Sequence, residues 1–242
     1  MLDVHPPHES VHTWRDFFIH IATIVIGLLI AVGLEQTVEY LHHRHQRMEL
    51  IESLKVDTAI CEEDGRNTAE ARQKKSVWLL DRETRINDAL WSGSPVTDLP
   101  DPPVGRKTEV LSYTHFQAGK ASGLLQLLST EDMDAFSDVN FDVQLANKAE
   151  DAYVQAVSRR RGFEAALRDR TFKRLDLTRA TPADLREYLR LLEAERDAAI
   201  GDRFSSDVAE GAAAAVLRGE RGIRKLQQAE NEAVDRDLGA TK

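Results

Sequence analysis

Residues 17–34 read FFIHIATIVIGLLIAVGL, an apolar stretch of 18 residues without Asp, Glu, Lys or Arg. As an α-helix it extends about 27 Å, close to the hydrocarbon thickness of a bilayer at about 30 Å. Asp16 and Glu35 bracket the stretch closely. The pattern predicts a single transmembrane helix over residues 17–34 that anchors the chain in a membrane.

Two other interpretations of this stretch stay open. The small residues at Ala31-Val32-Gly33 suit cleavage of a signal peptide, although the preceding segment is acidic where a signal peptide is positively charged. The second interpretation is a buried core helix of a soluble domain, but such helices are normally shorter and carry a polar face. The single-pass anchor agrees best with the length of the stretch and with its flanks.

Aromatic and basic residues flank the predicted span. Trp14 precedes it and Tyr40 follows it, and such amphipathic rings favour the headgroup region, so both are predicted to lie at the membrane interface. Arg15 lies before the span, whereas Arg44 and Arg47 lie after it. This excess of one Arg favours a cytoplasmic C-terminal body, with a periplasmic body as the alternative.

One face of the predicted span differs from a lipid-facing surface. His20, Thr23, Gly27, Ala31 and Glu35 recur at spacings of three or four and therefore share a helix face. Gly27 and Ala31 form a small-xxx-small pair, which lets a second helix approach closely. The face predicts docking to another membrane protein or to a second copy of the chain. The alternative is that small residues are simply common in membrane helices.

The first fifth of the chain carries a run of short motifs around Trp14. They are HPPH at residues 5–8, DFFIH at 16–20, GLLIA at 27–31, GLE at 33–35 and HHRH at 42–45. With them the chain resembles a group of uncharacterised bacterial membrane-anchored proteins, which open with a His-Pro-Pro-His segment followed by a Gly-Leu-Leu-Ile-Ala transmembrane helix. Residues 118–128, AGKASGLLQLL, are similar to a later segment of such proteins. The resemblance implies a bacterial envelope protein of unknown function and supplies no catalytic residue. The predicted location is the bacterial inner membrane.

The rest of the chain reads as helical. Residues 35–64 contain neither Gly nor Pro, so the anchor helix is predicted to continue as a stalk. Asp64-Gly65-Arg66-Asn67 is either a turn or a glycine tolerated within one long helix. In the second half of the stalk the predicted apolar side is Val77, Leu80, Ile86 and Leu90.

The domain organisation follows from a proline-rich segment. Residues 93–105, GSPVTDLPDPPVG, hold four of the seven prolines and predict a linker without regular structure. No run of alternating β-branched residues occurs, so the predicted fold class is all-α, with one transmembrane helix, a long helical stalk and a helical-bundle extramembrane domain. The predicted segments are an N-terminal tail at 1–16, the span at 17–34, the stalk or hairpin at 35–92, the linker at 93–105 and the helical domain at 106–242.

Within the helical domain, capping residues mark the helix starts. Ser129 and Thr181 are hydroxyl residues followed by acidic residues, and Thr181 is also followed by a proline at the first helical position. Two shorter helices are predicted over residues 206–218 and 222–238, with a glycine-marked break between them.

Composition excludes several function classes. The formal net charge of −9 argues against a nucleic-acid partner. The chain has no P-loop, GxGxxG, HExxH or GxSxG motif. Cys61 is the single cysteine, and the acidic residues that follow it predict a thiol of raised pKa. The sequence therefore predicts no catalytic activity and no cofactor.

Histidines are concentrated near the predicted span. Seven of the eight lie between residues 5 and 45, with His5, His8 and His12 before the span and His42, His43 and His45 after it. The i,i+4 spacing of His8 and His12 can place two imidazoles on one metal in a helix, so His5, His8 and His12 are candidate metal ligands. The alternatives are histidines that touch lipid headgroups and histidines that sense pH.

Residues 159–179 hold eight basic and three acidic residues. Such a charged run is predicted to be a solvated face, with contact to anionic headgroups or to an acidic partner as the alternative. Together these features predict a membrane-anchored scaffold or an accessory subunit of a membrane complex. The alternative function is a metal- or haem-binding envelope protein that uses its histidine clusters.

Overall fold

The computed structural model describes residues 14–96, 99–103, 111–167 and 175–239, and every regular element in these ranges is a helix. The predicted all-α class is therefore confirmed for the described residues. The elements are α1 at Trp14–Ser92, α2 at Thr114–Ala121, a short 3-10 helix at Leu124–Leu127, α3 at Thr130–Ala166, α4 at Pro182–Leu217 and α5 at Ile223–Gly239.

The chain divides into two compact units, one ending at Glu49 and the other beginning at Leu50. In the first unit, every residue of the apolar stretch 17–34 is exposed. The second unit contains the part of α1 from Leu50 onward together with α2 to α5. The division of the chain into tail, span, stalk, linker and domain stays a prediction.

The helices α3 and α4 begin where the sequence predicted. The Ser129 hydroxyl accepts a hydrogen bond from the backbone N–H of Asp132 at 3.2 Å. The Thr181 hydroxyl accepts one from the backbone N–H of Asp184, and the Asp184 carboxylate accepts one from the Thr181 N–H at 2.8 Å. This second pair is a capping box, and each such N-cap contributes about 1 kcal/mol.

Helix α4 is longer than the sequence predicted. The separate helix expected over residues 206–218 is wrong, because α4 continues through this segment to Leu217. Ser206 lies buried within it, and neither a proline nor a glycine pair interrupts the preceding turns. The predicted break is confirmed, since Gly219 and Gly222 have φ angles of 83° and 94°, which favour glycine.

Helix α1 passes through Gly65 without a turn, so the second of the two interpretations of residues 64–67 is confirmed. A Cβ atom at Gly65 would lie 2.9 Å from the Cβ of Glu210 on α4. The missing side chain therefore lets α4 approach α1 closely.

The inner face of the last turns of α1 differs from the predicted one. Val77 and Leu80 are 60 % and 58 % exposed, so their assignment to the apolar side is wrong. Trp78 and Leu79 are buried in their place. The reason is that this buried face also carries Arg82, whose charge breaks the apolar periodicity on which the prediction rested.

The core of the second unit consists of two hydrophobic clusters. The larger contains residues of all five α-helices, and Phe136, Val139 and Val143 of α3 enter it from one helix face, at spacings of three and four residues. The smaller joins α1 to α4 through Leu79, Ile86, Tyr188 and Leu192. Each large apolar side chain buried in this way contributes about 1.5–3 kcal/mol.

Small residues bring α4 and α5 into close contact. A Cβ atom at Gly211 would lie 2.7 Å from the carbonyl oxygen of Ala229 and 2.8 Å from the Cα of Glu230. Next to this glycine, Ala212 and Ala213 are fully buried. The helices therefore pack backbone to backbone at this point, where any side chain would separate them.

The thiol of Cys61 lies buried between α1 and α4, with its Sγ atom 3.8 Å from the carbonyl oxygen of Ala209. Burial and, to a lesser extent, nearby carboxylates such as Asp64 and Asp142 raise its pKa to about 12. The predicted direction is confirmed, but burial contributes more than the acidic neighbours in the sequence.

Candidate functional site

Within the described part of the chain, no residue covers the apolar stretch 17–34. Among the described residues, α1 is the helix long and apolar enough to cross a membrane, and none of its most apolar window is buried. Ile24, Leu28 and Leu29 are each about two-thirds exposed. Soluble proteins rarely expose a contiguous apolar surface of this size. The stretch is therefore a candidate membrane span.

The helix places His20, Thr23, Gly27, Ala31 and Glu35 on one face, within an arc of about 120° at 100° per residue. The Thr23 hydroxyl donates to the carbonyl oxygen of Ile19 at 2.9 Å, so this polar group is satisfied within the helix. No atom lies within 4 Å of a Cβ built on Gly27. The face is thus open to another helix, and its occupation stays a prediction.

The two predicted interface residues lie at opposite ends of this stretch. Trp14 and Tyr40 are 77 % and 66 % exposed, and the separation of 26 positions along the chain corresponds to about 39 Å of helix. That length approaches the roughly 40–45 Å of a bilayer with its headgroups. The Trp14 ring also contacts the rings of Phe17 and Phe18, with centroids 5.9 and 6.0 Å away. The spacing is compatible with one ring in each headgroup layer.

The predicted metal ligands His5, His8 and His12 lie outside the described residues. Within the described ranges, no group of three His, Cys, Asp or Glu side chains is arranged to hold a metal ion. In the cluster that follows the span, the His45 ring meets Glu49 at 3.1 Å. Metal binding by the N-terminal histidines stays a prediction.

The second unit contains a buried group of charged residues that the sequence did not reveal. Three cations surround the ring of Trp78: Lys75 at 4.2 Å, Arg82 at 4.5 Å and Arg160 at 5.0 Å from the ring centroid. They meet two carboxylates and one hydroxyl, which come from α3 and α4. We call this group the Trp78 cluster, and its members are Lys75, Trp78, Arg82, Arg160, Glu164, Tyr188 and Glu195.

Each carboxylate of the Trp78 cluster meets two cations. Glu164 Oε1 lies 2.7 Å from Nη1 of Arg82 and 2.7 Å from Nη1 of Arg160. Glu195 is fully buried, and its two oxygens contact the Nε of Arg160 and, at 2.7 Å, the Nζ of Lys75. Because α1, α3 and α4 each supply charges, the cluster ties these three helices together.

Burial and the neighbouring charges together determine the ionisation of the Trp78 cluster. Burial lowers the pKa of Lys75 against the opposing effect of Glu195, and it raises the pKa of Tyr188 far above its usual range. For Glu164, the neighbouring Arg160 and the Tyr188 hydroxyl outweigh burial and lower the pKa. The hydroxyl of Tyr188 donates to Glu164 at 2.5 Å. All three groups are buried or nearly so, and the arrangement stabilises helix packing.

A cavity of about 70 Å³ adjoins the Trp78 cluster, lined by Lys75 and Arg72 of α1, Tyr153 and Arg161 of α3, and Pro102. Its volume is well below the 300–1,000 Å³ typical of small-molecule sites. It has room for a few water molecules, which the charged rim would hydrogen-bond.

The chain matches no protein-family model, no curated protein and no solved structure. The resemblance of its opening stretch to bacterial membrane-anchored proteins therefore stays a prediction. What the chain does has to be inferred from its own residues.

Sequence reasoning treated residues 159–161 as a solvated basic run, and this is wrong for Arg160, which is 1 % exposed. A usable signal did exist on α4. Glu195 follows Leu192 by three residues and Tyr188 by seven, so it shares a helix face with these two large side chains. An acid at such a position requires a buried cation, and Arg160 supplies it.

Proposed function

We propose that this chain is a single-pass membrane-anchored helical protein that serves as a scaffold or as an accessory subunit of a membrane complex, without catalytic activity of its own. The observation that carries the proposal is the apolar stretch 17–34, none of which is buried, whereas the helices of the second unit have buried cores. A bilayer is the surrounding that suits such a stretch best.

The composition of the stretch favours insertion into a membrane. Twelve of its 18 residues are Leu, Ile, Phe or Val. At about 0.3–0.6 kcal/mol each near the centre of a membrane helix, they favour insertion by roughly 4–7 kcal/mol. His20 is the only ionisable side chain inside the stretch, and it lies within one turn of the end, where its ring can reach the headgroups.

Docking through the shared face is the second part of the proposal. Gly27 and Ala31 let a partner helix approach, because small residues at a four-residue spacing bring two backbones together. His20 and Glu35 lie on the same face and give the partner polar groups to recognise. The partner is another membrane protein or a second copy of the chain, in a bacterial inner membrane, with the C-terminal body on the cytoplasmic side.

The test is co-purification of the full-length protein from its native membrane in a mild detergent, followed by mass spectrometry and measurement of the oligomer mass. Two variants make it specific. Gly27→Leu adds a bulky side chain to the proposed face, and Gly33→Leu adds the same side chain to a different face, about 120° from Gly27. Neither glycine has an atom within 4 Å of an added Cβ, so both variants leave the fold of the chain unchanged.

We expect Gly27→Leu to lose a stoichiometric partner or the oligomer, while Gly33→Leu keeps it. A lost partner protein would identify an accessory subunit, and a lost oligomer would identify a self-associating scaffold. Equal association in both variants would contradict docking through this face. Release of the protein from membranes by alkaline carbonate would contradict the membrane anchor itself.

A further inference from the structure

A groove between α3 and α5 combines negative charge with a free cavity. It has a volume of about 210 Å³ and is lined by Asp138, Phe141 and Asp142 from α3 and by Gln227 and Glu230 from α5, among others. Asp138 and Asp142 are four residues apart, so they lie on the same side of α3. We call this feature the acidic groove.

Asp142 is the unusual residue of the acidic groove. It is only 8 % exposed, yet in the described part of the chain no hydrogen bond or ion pair is made to its carboxyl group. Buried carboxyl groups in proteins are normally paired with a donor or a cation. Burial and, to a lesser extent, the charges of Glu230 and Asp138 raise the pKa of Asp142 to about 7.

Within the described ranges, no group of three His, Cys, Asp or Glu side chains is arranged to hold a metal ion. The acidic side chains of the groove come from both α3 and α5, so a ligand with two separated positive charges can contact carboxylates on both helices. Phe141 is 59 % exposed at the rim of the groove, and aromatic faces attract ammonium groups.

We propose that the acidic groove binds a small organic diamine or polyamine, with one ammonium group on Asp142 and another on Glu230 or Asp138. The amide of Gln227 adds a hydrogen-bond acceptor beside the carboxylates. A flexible alkyl chain between the ammonium groups spans the distance between α3 and α5 and packs against Phe141. Bound in this way, the ligand bridges the two helices and neutralises the acids that otherwise repel each other.

The experiment is isothermal titration calorimetry of the full-length protein in a neutral detergent. A neutral detergent is chosen because its uncharged micelles do not bind polyamines. The probes are 1,4-diaminobutane, spermidine, the monoamine butylamine and Mg²⁺. The variants are Asp142→Asn and Glu230→Gln, which keep the shape of the side chains. The matched control is Asp134→Asn, because Asp134 is an exposed acid on α3 one turn away and does not line the groove.

We expect the diamine to bind more tightly than butylamine and to lose about tenfold or more in affinity in Asp142→Asn, as charge-assisted hydrogen bonds are lost. Asp134→Asn should stay within about twofold of the unaltered protein, since an exposed acid contributes little. Equal affinity in Asp142→Asn, or no heat of binding for either polyamine, would overturn the proposal. So would Mg²⁺ binding with the same dependence on Asp142, which would identify a site for divalent cations.

Discussion

Replacing Glu195 by Gln should destabilise the fold more than replacing Arg160 by Met, although the two residues form one ion pair. The reason is the balance of charge in the Trp78 cluster, which contains three cations and two carboxylates. Glu195→Gln leaves three cations facing Glu164 alone. Arg160→Met leaves two cations and two carboxylates, still paired as Lys75 with Glu195 and Arg82 with Glu164.

The magnitudes follow from burial. Glu195 is 0 % exposed, and removing one partner of such a buried pair costs about 3–5 kcal/mol. Arg160→Met replaces a buried side chain by an apolar one of comparable length, leaves the charges balanced and should cost about 1–2 kcal/mol. The expected difference of about 2 kcal/mol corresponds to more than a tenfold change in the unfolding equilibrium.

Urea unfolding of the full-length protein in neutral detergent measures these costs. Trp78 is 6 % exposed, whereas Trp14 and Trp91 are 77 % and 93 % exposed, so the variants Trp14→Phe and Trp91→Phe provide a background in which fluorescence reports on the cluster. The control is Glu187→Gln, which breaks an exposed ion pair with Arg190 and should leave the free energy of unfolding nearly unchanged.

The reasoning is refuted if Arg160→Met costs as much as Glu195→Gln, because charge balance would then be irrelevant.

The pH dependence of stability in the alkaline range tests the same charge balance. Burial lowers the pKa of Lys75, so between that pKa and 10.5 the folded state binds fewer protons than the unfolded state. Stability therefore rises with pH in this range, and we expect the rise to be larger in Glu195→Gln, where no carboxylate opposes deprotonation of Lys75.

Three further outcomes are expected from urea unfolding of single variants. Asp142 has a pKa of about 7 in the folded state against 3.8 ordinarily, so the folded state binds more protons between these values and stability falls as pH rises through them. Asp142→Asn should reduce this fall and gain about 1–2 kcal/mol at pH 8, after allowance for solvent screening; Glu230 and Asp138, whose pKa values are also raised, keep a part of it, and a fall of unchanged size would contradict the assignment. Gly211→Ala should cost about 1–3 kcal/mol, because its Cβ meets the α5 backbone, whereas Gly201→Ala, in open space on the same helix, should gain up to about 1 kcal/mol. Thr181→Ala should cost about 1 kcal/mol through loss of the capping box, and no change would mean that the α4 start is fixed by packing alone.

Local signals in the sequence sufficed for the fold class and for most helix ends. The caps at Ser129 and Thr181 and the break at Gly219 and Gly222 depend on neighbouring residues in the sequence only. They can therefore be predicted without knowing which other helices pack against them. The continuation of α4 through Ser206 is different. It depends on burial against other helices, which outweighs the weak local preference for a break.

The Trp78 cluster and the acidic groove could not be predicted from the sequence for a related reason. Each is assembled from helices far apart in the chain, so the contacts of a charged residue in α3 depend on residues in α1, α4 or α5. A run such as residues 159–161 looks uniformly basic, and only packing separates Arg160 from its exposed neighbours. The polar face of residues 20–35, in contrast, lies within one helix, and its periodicity was sufficient to place it.

Burial of Cys61 allows its chemical modification to report the separation of the helices that cover it. The thiol of Cys61 faces Ala209 across the contact between α1 and α4, and it reacts poorly both because it is covered and because it holds its proton. An alkylating reagent can modify it only in molecules whose helices have momentarily parted. The rate of modification under native conditions therefore counts these openings, one signal per chain, without any engineered label.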